Sequence, residues 1–211
     1  FEVDRIRDGK SFTTRRVNAI QNGEAIFSCS ISFQKREKGL SHQIKMPDIP
    51  GPENLKSDFE LRKDVQDKIP KDYLPMWLRE REIETRQVEP MDLLKAEKLP
   101  PYRSTWMKPT GKLPSDERIH QALLLYVSDM GLLGAAVNPH EVNFMSKKFQ
   151  SASLDHVMWF HGKVNFNNWV LHHMHSPISS GARGFSRGSI YTKLGKLIAS
   201  TAQEGLMRIW D

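Results

Sequence analysis

Cysteine is nearly absent. Cys29 is the only one among 211 residues, so no intramolecular disulfide forms, and its place in the alternating run Ile26-Phe27-Ser28-Cys29-Ser30-Ile31 reads as a buried thiol in a reducing compartment. Long apolar runs are missing too. None approaches the ~20 residues that span a bilayer, and no charged-then-apolar leader opens the chain. These absences predict an intracellular, soluble protein with no membrane span. Runs of one charge sign are also lacking: the net charge is +6 and the pI near 9.4, but Lys and Arg are scattered. Charge alone therefore selects no partner among nucleic acid, a membrane surface and a phosphorylated cofactor, and no nucleic-acid partner is expected.

What remains is an ordinary globular composition, 38% hydrophobic and 27% charged, in a chain long enough for one large domain or two small fused ones. The first residue is Phe1, and Phe1-Glu2-Val3-Asp4-Arg5-Ile6 already alternates like a strand, so the chain is expected to begin inside a folded element, as a fragment or processed product.

Residues 1–35 carry three strand-like runs punctuated by Asp8-Gly9 and Asn22-Gly23, which predicts an antiparallel meander. Residues 36–101 shift to Pro, Lys and Glu. Met46-Pro-Asp-Ile-Pro-Gly-Pro52 is too proline-rich for a regular element, and only Leu55–Lys68 reads as helical, so this stretch is expected to be a linker that wraps the surface. Residues 102–211 read strand, helix, then meander. The helix starts at Ser115-Asp116-Glu117, repeats Ile119, Ala122, Leu123, Tyr126 and Val127 at helical spacing, is apolar on more than one side, and is stopped by Pro139. Strands follow at Phe149–His161, Trp169–His175, Arg183–Lys193 and Lys196–Met207. The interval from Gly9 to Gly23 is repeated from Gly181 to Gly195, which makes the first half a second copy of the meander without its opening strand and helix.

The run Ser151-Ala-Ser-Leu-Asp-His-Val-Met-Trp-Phe-His161 resembles the signature strand of type II acyl-CoA thioesterases. Tyr126-Val-Ser-Asp-Met-Gly-Leu-Leu-Gly134, Ser180-Gly-Ala-Arg-Gly184 and Ala202-Gln-Glu-Gly-Leu-Met-Arg208 follow the family's order, and the first meander fits through Arg7–Phe12, Val17–Gly23 and Ser32–Gln34. The resemblance implies an α+β double hotdog, two units each with a curved antiparallel sheet around a central helix, the first unit truncated at its N-terminus. It implies hydrolysis of fatty acyl-CoA to fatty acid and coenzyme A, no cofactor beyond the coenzyme A of the substrate, and a homo-oligomer. It places the catalytic residues on Asp129, Ser153 and Gln203, all in the second unit. Gln203 falls opposite Ile31 at the repeat offset, so one complete centre per chain is expected. The missing piece of the first unit is expected as a second polypeptide. Relatives of this family imply a peroxisomal setting in a eukaryote and a cytoplasmic one in a bacterium.

A thioester carbonyl is electrophilic and its thiolate leaves readily, so hydrolysis mainly needs an aimed, partly deprotonated water. Asp129 would accept the water proton, with burial raising its pKa. Ser153 would relay a hydrogen bond, and the Gln203 amide would hold the water. Backbone N–H groups near Gly131 and Gly134 are candidates for the oxyanion, and Arg183 and Arg187 for the phosphates of coenzyme A. Strand phase places Ser153, Asp155, Val157 and Trp159 on one face, and Leu197, Ala199, Thr201 and Gln203 on one face of their own strand. Asp155 and His156, as neighbours in a strand, point to opposite faces and are assigned structural roles. His172-His173-Met174-His175 offers no third metal ligand, so ordinary strand histidines and no metal are expected. Hydration of an enoyl-CoA, or an inert or acyl-CoA-binding fragment, are the competing readings.

Overall fold

The computed structural model describes residues 1–210, which fall into two compact units, Phe1–His42 and a second from Gln43 onward. The first is an antiparallel sheet in the order β1 (Glu2–Asp8), β2 (Phe12–Gln21), β3 (Glu24–Gln34). Asn22 and Gly23 both take positive φ, 52° and 85°, the tight turn whose twist matches the strands it joins. Thr13, Arg15, Val17 and Ala19 oppose Phe33, Ile31, Cys29 and Phe27. Cys29 is half-buried rather than enclosed, because no helix of this unit lies among the described residues to cover that face.

The second unit opens with α1 (Asp58–Asp64), inside the helical stretch expected at 55–68. A capping box fixes its start: Ser57 Oγ accepts from Glu60 N at 3.2 Å and Glu60 Oε2 accepts from Ser57 N at 2.7 Å. A single turn, α2 (Leu74–Trp77), follows, and then β4 (Ile83–Gln87). β4 lies in the stretch read as linker, yet it pairs with β5 (Tyr102–Pro109) and forms the edge of a seven-stranded sheet. Its partner is remote in sequence, so long-range pairing makes it a strand where the local pattern does not.

Next come α3 (Glu117–Ser128), α4 (Leu132–Val137), β6 (Phe149–Ser153), β7 (Val157–Phe160), β8 (Val170–Ser180), β9 (Arg183–Thr192) and β10 (Leu197–Ile209). The sheet order is β4-β5-β8-β9-β10-β6, with β7 also on β10. The hairpins β8-β9 and β9-β10 turn where β1-β2 and β2-β3 do, as the repeat predicts.

Asp116 caps α3, its Oδ1 accepting from Arg118 N at 3.0 Å, and the Arg118 side chain bonded to it holds its pKa down at about 2. The stripe this helix buries is His120, Leu124, Val127 and Ser128, one face at i, i+4, i+7 and i+8. Ile119, Leu125 and Tyr126 stay exposed, so apolarity on two sides does not mean burial on two sides. Leu124 and Val127 pack with Met107, Val170, Ile190, Ile198 and Ala199 from four strands. Each such burial stabilises by roughly 1.5–3 kcal/mol. Residues 117–137, with a mean hydropathy of 1.2, are long and apolar enough to cross a membrane by composition. They are broken at Gly131 and packed into the sheet, which reads as an interior element.

A second core lies around Trp106, Leu171 and Tyr191, sealed by Met46, Ile49 and Leu55 from the proline-rich segment. The Trp106 indole donates to Pro50 O at 2.9 Å. The wrapping expected of residues 46–52 thus has a function in packing.

Candidate functional site

The site grows from a break in a strand. The sequence pattern reads 149–161 as one strand, but residues 154–156 leave the ladder between β6 and β7. Ser153 pairs with Gly205 and Val157 with Ala202, so four steps on one side match three on the other. That is one inserted residue, a bulge. Leu154 N and Asp155 N both donate to Glu204 O, at 2.9 and 3.4 Å. Asp155 Oδ1 accepts from Glu204 N at 2.8 Å and is spent there.

The insertion inverts the facing of everything after it. Ser153 does not share a face with Val157 and Trp159, contrary to the simple alternation. Ser153 and His156 instead converge on Gln203. The amide of Gln203 is 2% exposed and sits in the middle: its Nε2 donates to Ser153 Oγ at 2.7 Å and its Oε1 meets His156 Nδ1 at 3.0 Å. Ser153 Oγ donates to Asp129 Oδ1 at 3.1 Å. At the other end His156 Nε2 meets Ser128 Oγ at 2.8 Å. Asp129, Ser153 and Gln203 are thus joined in one hydrogen-bonded row, and His156 extends it in a way that strand alternation concealed. Only a bulge in the signature strand could have revealed it.

Asp129 caps the C-terminus of α3 and is exposed, as is Ser153. The burial expected around Asp129 is absent, because α3 presents Val127 and Ser128 to the core and the next side chain swings outward. The row therefore runs from a buried end, Ser128 and Gln203, to an open end, Ser153 and Asp129.

Gly131 follows at φ 119°, a conformation only glycine adopts without strain, and lets the chain turn from α3 into α4 within two residues of Asp129. Gly134 lies buried inside α4 against the Arg103 guanidinium. Arg103 donates to Gln87 Oε1, and Gln87 Nε2 to Asp58 Oδ1 at 2.9 Å, so β4 braces the underside of α4.

Arg183 and Arg187 are not brought to the row. Ser186 is the cross-strand partner of Gln203 and is buried with it, so Phe185 and Arg187 point to the opposite face of the sheet. Arg183 pairs with Glu204 at 3.1 Å. Arg187 lines a shallow outer depression with His175, Trp159 and Phe185.

The histidine run is divided by the same alternation. His172 is fully buried beside the row, its Nε2 3.0 Å from Thr201 Oγ1 across Gly188, where any larger side chain would collide with both. Burial pushes its pKa down to about 3, aided by repulsion from His156 and His173. His173 meets Ser104 Oγ at 3.0 Å. Burial lowers the pKa of His173 and of His175, with repulsion from His175 and from Arg187 respectively adding to it. Among the described residues no group of three His, Cys, Asp or Glu side chains is placed to hold a metal ion.

Residues 77–206 match the family model described as acyl-CoA thioesterase. The chain is 36% identical over 208 residues to acyl-CoA thioesterase 2 of Haemophilus influenzae, covering 99% of this chain and 73% of that one. It is 37% identical over 222 residues to acyl-coenzyme A thioesterase 8 of mouse, covering 99% and 67%. The crystal structure of acyl-CoA thioesterase II TesB2 from Mycobacterium marinum superposes with a TM-score of 0.78 at 37% identity, over 99% of this chain and 73% of that one. A hot dog fold protein from Alicyclobacillus acidocaldarius, at 17% identity and a TM-score of 0.74 over 100% of this chain and 72% of that one, shares the fold. The sheet packed on α3 is that α+β hotdog architecture, and the chain belongs to the acyl-CoA thioesterase family.

Proposed function

We propose that this chain hydrolyses fatty acyl-CoA to a fatty acid and coenzyme A by direct attack of water, with Asp129, Ser153 and Gln203 as the catalytic residues. The observation that carries the reading is the row Gln203 to Ser153 to Asp129, which ends on a carboxylate at an open surface. Ser153 occupies Oδ1 of Asp129, and Oδ2 is the oxygen assigned to the water proton. A second N–H of the Gln203 amide is available to the water or the developing oxyanion.

The water oxygen bonds to the thioester carbon as its proton passes to Asp129. The tetrahedral adduct collapses with cleavage of the C–S bond, and the coenzyme A thiolate leaves, taking up a proton from Asp129 or solvent. No nucleophilic side chain is needed, because a thiolate is a good leaving group. Asp129 supplies what the water lacks, a base fixed in place by Ser153.

The test is to incubate the purified chain with a long-chain acyl-CoA and follow free thiol with a thiol-reactive chromophore. Thiol should appear in step with fatty acid, and the absorbance of an enoyl-CoA should stay constant. Binding of acyl-CoA without release of thiol would favour an inert, binding-only chain instead.

A further inference from the structure

Resting on that reading, we infer that His156 is a positioning residue whose Nδ1–H dictates which end of the Gln203 amide faces Ser153, and through it whether Asp129 receives a hydrogen bond. The row of five side chains has only one fully consistent assignment of donors at its catalytic end. Ser153 has a single hydroxyl proton. It reaches Asp129 Oδ1, 3.1 Å away, only if the Gln203 group 2.7 Å from Ser153 Oγ is the donating NH₂ and not the carbonyl.

The amide can meet both needs by a half-turn, since its two ends are nearly the same shape. What breaks the tie is the partner of the other end. With a proton on His156 Nδ1, 3.0 Å from the amide, that end must be the oxygen, the NH₂ must face Ser153, and the Ser153 proton must go to Asp129. With Nδ1 bare, the amide turns over, its oxygen takes the Ser153 proton, and Asp129 loses its donor.

The Ser128 hydroxyl is coupled to the choice between these two states. Its Oγ lies 2.8 Å from His156 Nε2 and 2.8 Å from Leu125 O. When the hydroxyl donates to Nε2, the one proton of the neutral ring lies on Nδ1 and faces Gln203; when it turns to Leu125 O and accepts from Nε2–H, Nδ1 is bare. Ser128 is fully buried, so water does not compete for its hydroxyl, and with Ser128 donating to Nε2 each arrow from Ser128 to Asp129 points the same way. Such a unidirectional row polarises its members cooperatively.

Five variants of the full chain, compared by kcat and KM for acyl-CoA, test this. His156→Ala should lower kcat by about 10²-fold, the scale of losing one aimed donor, with KM changed little. His156→Asn puts an amide N–H at the position of Nδ1 and should recover kcat to within about tenfold of the parent, since the same bond to Gln203 is restored. His156→Gln reaches the Ser128 end instead and should not. Gln203→Ala should lower kcat on its own, and adding His156→Ala to it should cost little more, because the histidine acts only through the amide.

A Gln203→Ala defect with an undiminished His156→Ala, or recovery by Gln in place of Asn, overturns the inference while leaving the trio intact. No defect in Gln203→Ala overturns the trio itself. A measurement independent of turnover and of the variants' folding is the ¹⁵N spectrum of the His156 ring in the parent chain. A protonated Nδ1 is expected, and a bare Nδ1 contradicts the assignment.

Discussion

Asp129→Asn should lower kcat for acyl-CoA hydrolysis by about 10³-fold, within the range typical of removing a positioned general base. Asn matches Asp in size and keeps a carbonyl oxygen that still accepts from Ser153 Oγ, so the row of bonds survives. What disappears is the ability to take a proton. The side chain is exposed at the end of α3, and a surface substitution of this kind shifts stability by only about ±0.5 kcal/mol. The melting temperature and KM should therefore stay near those of the parent while thiol release collapses. Turnover close to normal in Asp129→Asn would sink the assignment of the base.

Acid should destabilise the second unit well before its carboxylates are protonated, and His172 is the reason. In the unfolded chain a histidine binds a proton near pH 6.5. In the folded chain burial holds His172 down at about 3, and its Nδ1 has no hydrogen-bond partner among the described residues. Between those two values the unfolded state carries a proton that the folded state refuses, so folding stability falls as pH falls. The slope approaches about 1.4 kcal/mol per pH unit for one such group, large against a total stability of about 5–15 kcal/mol. His173 and His175 are lowered too and add in the same direction.

Urea midpoints between pH 6.5 and 5 should therefore drop steeply for the parent chain. His172→Gln should be less stable at neutral pH, having lost a bond to Thr201, yet should show a flatter pH slope by about 1 kcal/mol per unit. An unchanged slope would mean that His172 is not the buried neutral group described.

Which features were legible in the sequence follows from how local their causes are. The turns at Asn22-Gly23, Gly181 and Gly195 and the helix start at Ser115-Asp116-Glu117 depend on a few adjacent residues, and each stands where the pattern places it. β4 does not: Ile83–Gln87 becomes a strand because β5 is there to pair with it, and its neighbours in sequence say only Pro, Lys and Glu. α3 shows a related limit. Its apolar residues occupy two faces, and only the topology selects the face of Leu124 and Val127 for burial.

At the site, the motif singled out Asp129, Ser153 and Gln203, and the residue types explained why they suit a water-activating centre. His156 was hidden by a single inserted residue. Period-two reasoning from Ser153 sends His156 away from Gln203, and the bulge at Leu154-Asp155 returns it. The exposure of Asp129 was hidden for a similar reason: helical apolarity near the C-terminus of α3 suggested burial, whereas the next residue after Ser128 already faces outward.

The central claim is that water, held by Asp129 and Gln203, attacks the thioester carbon directly. A single turnover in H₂¹⁸O, with enzyme in excess over acyl-CoA, tests it most directly. The account predicts one ¹⁸O in the released fatty acid and none in the peptide carrying Asp129. Label in that peptide with unlabelled acid would show a covalent anhydride on Asp129 and contradict the account, as would the failure of any acid to form.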